Sequence, residues 1–156
     1  RLNMGFSFDT GGLLHNKTLL ENLLLPIQYH PDLKTPESVE RIKELLHRFG
    51  LSSSSDLRPS AAPGSHRKMA IVLRAFVLKP ELLLLDEPTV GLPASLRHEL
   101  KTFIIEERQK GTVKHMFVVS GDREFTDELI DVEVKIQNKE FLMTSLSNQK
   151  VVPSCA

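Results

Sequence analysis

Asp86 and Glu87 stand side by side at the end of an apolar run, Leu82-Leu83-Leu84-Leu85. A strand of a parallel sheet that is covered on both faces reads as such a continuous run. Its carboxyl end opens on the crevice where α/β sheets hold ligands. Two carboxylates delivered there suit a Mg²⁺-nucleotide site, with Asp86 facing the metal and Glu87 facing a water. Taken alone, the run fits equally a buried strand that ends in an acidic turn. The neighbouring segments decide between the two.

The pattern predicts an alternation of strand and helix, as an α/β sheet requires. Leu2 to Phe8 reads as a strand. Thr18 with Glu21 forms a capping box for a short helix that stops near Pro26. Thr35-Pro36 opens a second helix, with Val39, Ile42, Leu45, Leu46 and Phe49 on one face and Gly50 at its end. The Ser52 to Ser55 run with Pro59 reads as a linker. A helix from Pro63 to about Leu78 leads into the acidic strand. Another starts at Pro93, carries Leu96, Leu100, Phe103 and Ile104 on one face, and ends at Gly111. His115 to Ser120 is a strand and Arg123 to Ile130 a short helix. Val132 to Gln137 pairs with Lys139 to Leu146 as a hairpin across Asn138. Met4, Met69, Met116 and Met143 fall on these elements and are expected to pack.

Four segments, in this order and spacing, carry a resemblance. Arg58 to Ala75, centred on Pro63-Gly64-Ser65-His66-Arg67-Lys68, resembles the signature segment of ABC-transporter ATPases and runs without a gap into the acidic strand. Met4-Gly5-Phe6-Ser7-Phe8-Asp9, with Gly11-Gly12-Leu13-Leu14 and Thr18 to Asn22 after it, looks like the family's Q-loop strand and following helix. Phe117-Val118-Val119-Ser120-Gly121-Asp122 falls where the family has its switch strand. The likeness covers residues 1 to about 145 and is similar in flavour to ATPases of bacterial lipid-transport (Mla/Mce-type) systems. It implies an α/β, partial P-loop NTPase fold: a parallel sheet core, an inserted helical subdomain at about 18–62, core segments 1–17 and 63–146, a C-terminal β-hairpin, and a tail at 147–156.

The resemblance also exposes departures. No GxxxxGK(S/T) phosphate loop occurs in the 156 residues, so the backbone N–H cradle and lysine that hold phosphates are missing from this chain. The family places that loop before the Q-loop strand, and the chain is therefore expected to be the carboxyl-terminal part of a longer ATPase domain. Pro63 replaces the signature serine and offers neither hydroxyl nor N–H. Gly64 keeps the first signature glycine, Ser65 replaces the second, and His66 replaces the glutamine. These three are the remnant of a nucleotide-binding segment. Asp9 replaces the Q-loop glutamine and is a candidate metal ligand through water. Pro93 stands at the D-loop aspartate, and Gly121 replaces the switch histidine. His115 lies six residues before Gly121, about 20 Å along a strand, and cannot substitute. Asp86 and Glu87 alone match the family's metal-facing and catalytic carboxylates.

Composition excludes several other classes. The formal charge is zero, and a nucleic-acid binder would carry a basic face. Its six histidines never fall at i, i+4, and the single Cys155 completes neither a disulfide nor a metal site. No apolar run approaches membrane-span length.

The resemblance implies an ATP-binding ATPase subunit that couples hydrolysis to transport, using Mg²⁺ and ATP in an intact parent. The expected partners are a second ATPase subunit, in a two-fold dimer, and an integral-membrane permease, with a cytoplasmic location peripheral to the inner membrane. The 156 residues alone are expected to bind no nucleotide. The rival reading is a degenerate ATPase serving as a structural or regulatory subunit. Losses at positions 9, 63, 93 and 121 favour the rival, and retention of Asp86-Glu87-Pro88 favours the motor.

Overall fold

Three strands run parallel in the order β1 (Met4–Ser7), β2 (Leu82–Asp86), β3 (His115–Val119) in this computed structural model, which describes residues 3–30 and 33–146. The expected tail and Cys155 lie outside the described residues. Register sets Met4 beside Leu82 and Leu82 beside His115, and it ends with Asp86 beside Val119. The three carboxyl ends therefore emerge together. Parallel strands need crossover connections, and helices supply them.

The first crossover begins with α1 (Leu19–Gln28), whose capping box is reciprocal: Glu21 N–H donates to Thr18 Oγ1 at 3.1 Å, and Thr18 N–H to Glu21 Oε2 at 2.7 Å. The helix ends two residues past Pro26, near the expected stop. Pro26 sits in the last turn, where a missing N–H forfeits one bond, and fully buried Ile27 follows it. Helix α2 (Pro36–Arg48) is capped by Thr35 and Ser38 and closed by Gly50 at φ +70°. The serine run is not a bare linker, because Ser52–Ser54 form a 3₁₀ turn and Ser54 is buried.

Helix α3 (Gly64–Arg74) is shorter than expected. Residues 75–77 tighten into i→i−3 bonds, which carry Phe76 and Val77 into the core. Close approach of this turn to β1 demands a glycine, since a Cβ on Gly5 would run into the carbonyl of Ala75. Helix α4 (Ala94–Gln109) buries Leu100, Phe103 and Ile104 as its periodicity predicts. Its partner α2 is tied to it by charge: Arg48 forks onto Glu106 at 2.6 and 2.9 Å, reaches Glu99 at 2.6 Å and lies over the Phe103 ring. Arg41 pairs with buried Glu107 at 2.7 Å. Phe49 and Phe76 meet Phe103 edge-on beneath these pairs.

Helix α5 is one turn (Arg123–Thr126), not the expected run to Ile130, because Leu129 turns inward and is buried. Strands β4 (Val132–Gln137) and β5 (Glu140–Ser145) form a separate antiparallel hairpin. Its turn is Asn138-Lys139, both left-handed at φ +51° and +66°, rather than Asn138 alone. Two such residues match the right-handed twist of a two-residue hairpin.

One expectation about β2 is corrected. Leu83 and Leu85 are buried beneath the helices, but Leu82 and Leu84 are only half-buried on the opposite face. That face is open across the sheet: Met4, Phe6, Phe117 and Val119 are exposed, the last two by 67% and 64%. Among the described residues β3 pairs only with β2, so its outer edge is unpaired. Met69 packs as expected, whereas Met4 and Met143 are exposed.

Candidate functional site at the carboxyl ends of the sheet

Asp86 closes β2, and Glu87 is the first residue beyond it, in the left-handed region at φ +42°. That conformation costs a non-glycine residue roughly 1 kcal/mol or more and persists only where its surroundings fix it. Two bonds do so. Glu87 N–H donates to Val119 O at 2.8 Å. Gly121 N–H donates to both carboxylate oxygens of Glu87, at 3.2 and 3.3 Å. Asp86 and Glu87 are both half-buried.

The turn after Glu87 is equally constrained. Pro88 and Thr89 are buried, Leu92 N–H donates to Thr89 O at 3.0 Å, and Gly91 takes φ +76°. Thr89 also hydrogen-bonds Asp122, whose carboxylate caps α5 through Phe125 N–H at 3.1 Å and pairs with Arg97 at 3.3 Å. Burial works against the Asp122 charge, but Phe125 N–H, Thr89 and Arg97 outweigh it and hold its pKa below the usual carboxylate value. The β2 and β3 ends thus form one hydrogen-bonded unit.

Asp9 follows β1 on a third loop and does not join that unit. Lys68 Nζ donates to the Asp9 carbonyl at 2.6 Å and to its carboxylate at 3.2 Å. The signature remnant begins α3: Pro63 is its N-cap with no side-chain cap bond, and Gly64 is exposed. Ser65 and His66 are half-buried, and His66 Nδ1 meets Ser54 Oγ at 2.8 Å. Arg67 donates to the carbonyls of Pro59 and Ala62 at 3.2 and 2.7 Å, fastening the preceding loop. Pro93 is the uncapped start of α4.

Lys68, Thr89 and Arg97 were not read as site residues from the sequence. Lys68 had a signal: it shares a helical face with Val72, four residues on, and both are buried. Thr89 and Arg97 had none, because their partner Asp122 is distant in sequence.

Among the described residues no group of three or more histidine, cysteine or acidic side chains is placed to hold a metal. Glu87 is bound by a backbone N–H and Asp9 by an ammonium. The donors present do not by themselves fit Mg²⁺. No helix among the described residues is long and apolar enough to cross a membrane.

Comparison with known proteins bears on this arrangement. Residues 1–90 match the family model described as ABC transporter. The chain is 33% identical over 138 residues to the sulfate/thiosulfate import ATP-binding protein CysA of Synechocystis sp., covering 87% of the chain and 38% of that protein. It is 34% identical over 123 residues to the lipoprotein-releasing system ATP-binding protein LolD of Alcanivorax borkumensis, covering 78% and 53%. The chain thus spans about half or less of the length of these curated relatives. Two solved structures share the fold across 92% of the chain. One is a dimeric ATP-binding cassette in a post-hydrolysis state bound to ADP and Pi, with TM-score 0.74, 22% identity and 63% of that chain covered. The other is an ATP binding subunit of an ABC transporter, with TM-score 0.79, 23% identity and 59% covered.

Proposed function

The chain belongs to the ABC transporter family of ATP-binding domains, and from that premise we propose that it is part of an ATP-binding subunit driving a membrane permease. The observation that carries this reading is the placement of Asp86 and Glu87 at the carboxyl end of the central strand of a parallel sheet. In the proposed division of labour, Glu87 would polarise the attacking water once a phosphate-binding loop and the nucleotide are supplied, and Asp86, at the end of the same strand, would face the nucleotide's cation. In this reading the described residues from about 18 to 62 make up a helical subdomain, and those before and after it, to 146, belong to the catalytic core. The proposed partners are a second ATPase subunit and an integral-membrane permease at the cytoplasmic face of the inner membrane. The cargo we favour is lipid-linked, in keeping with the likeness to LolD.

A second reading, a subunit that has kept the scaffold and lost the chemistry, is favoured by one observation. The Glu87 carboxylate already rests on Gly121 N–H, at the position where the family resemblance expects a histidine. Both readings agree on residues 1–156 alone: without a phosphate cradle, two carboxylates repel a triphosphate. Titration calorimetry with MgATP should detect no saturable binding. Micromolar binding abolished by Asp86→Ala would overturn that expectation. Hydrolysis by the full-length protein that is lost in Glu87→Gln supports the motor, and unchanged residual activity in that variant supports the scaffold.

A further inference from the structure

Helix α4 carries opposite charges on opposite sides. Residues two apart stand about 200° apart around an α-helix, so Arg97 and Glu99 leave it in nearly opposite directions. On the acidic side Glu99 and Glu106 take the Arg48 guanidinium of α2, at 2.6 Å for Glu99 and at 2.6 and 2.9 Å for Glu106. On the basic side Arg97 meets Asp122 at 3.3 Å, and Arg108, in the last turn, meets Asp131 at 3.1 Å. The start of α4 has no side-chain cap and no acid in its first turn, which leaves the Arg97 and Glu99 pairs as its polar anchors. The basic side leads to Glu87. Asp122 accepts a hydrogen bond from Thr89, two residues past Glu87, and it follows Gly121, whose N–H holds the Glu87 carboxylate. Glu87, Thr89, Asp122 and Gly121 thus close a ring, with chain on two sides and hydrogen bonds on the other two.

Resting on the reading of Glu87 as the group that polarises water, we propose that Arg97 is a positioning residue for Glu87 and that α4 is the strut through which α2 sets this carboxylate. Arg48 fixes the helix from one side, and Arg97 passes the helix position to Asp122 on the other. Glu87 needs such support, because its left-handed backbone persists only where its surroundings fix it. Gly121 offers a main-chain N–H, whose direction is set by the loop it belongs to. Asp122 is where that loop is bound to α4, through Arg97, and to the turn after β2, through Thr89. A shift of α4 therefore moves the donor relative to the carboxylate. The Arg97 side chain is 39% exposed, and an exposed pair adds little to stability. Its loss is felt in the geometry at Glu87 before it is felt in the melting temperature.

Hydrogen exchange of the Gly121 amide, followed by NMR on the 156-residue chain, tests the proposal. Glu87→Ala removes the acceptor and sets the rate of an unheld amide. Arg97→Met should accelerate Gly121 exchange about tenfold, toward that rate, while the melting temperature and the Phe103 and Ile104 amides of α4 stay near wild type. The double variant should exchange no faster than Glu87→Ala alone. Arg97→Lys keeps the cation and should restore much of the protection. Arg48→Met acts from the far side of α4 and should also accelerate Gly121, whereas Arg108→Met, which removes a pair from the last turn of the same helix, should not. If Arg97→Met or Arg48→Met leaves Gly121 exchange unchanged, or if Arg108→Met raises it equally, the proposal is overturned. If Arg97→Met fails to fold, Asp122→Asn keeps an acceptor for the α5 cap and drops the charge that Arg97 meets; unchanged Gly121 exchange in that variant overturns the proposal as well. In a longer protein that supplies a phosphate loop, Arg97→Met should lower the ATPase kcat about tenfold with KM unchanged, and it should add nothing to Glu87→Gln. An unchanged kcat, or an equal fall in the Glu87→Gln background, overturns the positioning role. Wild-type protein that hydrolyses no ATP removes the catalytic reading of Glu87 instead, and the exchange rates still decide whether Arg97 holds its carboxylate.

Discussion

The backbone N–H of Gly121 bridges both carboxylate oxygens of Glu87, at 3.2 and 3.3 Å, so the residue after β2 is tied to the loop after β3. The pair lies at the position where related ATPases are expected to oppose a glutamate and a histidine. Here the contact is made by main chain, without an imidazole. An amide can hold the carboxylate in place, but it cannot take up and release a proton as an imidazole can.

Gly121→His should therefore fold. A Cβ at Gly121 meets nothing within 4 Å, and its φ is not left-handed. The melting temperature should change little, and, if the proposed motor reading holds in a protein that supplies a phosphate loop, steady-state ATPase measurements there should show faster turnover. If turnover is unchanged, the limiting defect lies at Pro63 or in the Lys68-held Asp9.

Gly5→Ala should destabilise the chain through the opposite geometry. Its added methyl would meet the main-chain carbonyl of Ala75, and overpacking against backbone typically costs about 1–3 kcal/mol. A calorimetric melting temperature lower by several degrees is expected, whereas Gly121→Ala should leave it nearly unchanged.

Asp122 makes stability depend on acid. Its pKa is lower in the folded chain than in the unfolded one. Its contribution is therefore complete above the unfolded carboxylate value of about 3.9 and is lost as pH falls through the lower folded value. Asp122→Ala, which removes the cap on α5 and the partner of Arg97, should cost about 1 kcal/mol near neutrality. Thermal denaturation across pH should show the gap between this variant and wild type closing below about pH 4. A gap of constant size at every pH would show that the charge contributes nothing.

Residues 1–156 should self-associate. Among the described residues strand β3 has an unpaired edge beside exposed Phe117 and Val119, and the hairpin β4–β5 does not pair with it. Unpaired N–H and C=O groups next to apolar side chains recruit another strand. Native mass spectrometry should find dimers or larger species in which the β3 amides are protected from exchange. A monodisperse monomer with fast-exchanging β3 amides would remove the argument.

The sequence by itself determined the alternation of strands and helices, because periodicity, capping residues and glycine stops are local signals. Thr18 with Glu21, Thr35-Pro36 and Gly111 each marked a boundary that the structure keeps. Placement of Asp86 and Glu87 at a strand end was legible for the same reason. Where local rules met tertiary packing, packing prevailed: α3 stops early because Phe76 and Val77 turn inward.

Pairings between residues far apart in sequence belonged to the tertiary structure alone. Lys68 meets Asp9 from 59 positions away, and Glu87 meets Gly121 from 34. No spacing rule within one element brings such residues together. The open face of the sheet was hidden for a related reason: Leu82 to Leu85 read the same in sequence whether one side of β2 is covered or both. Side-chain chemistry fixes what a strand would prefer to bury, and only the arrangement of the other elements decides what covers it.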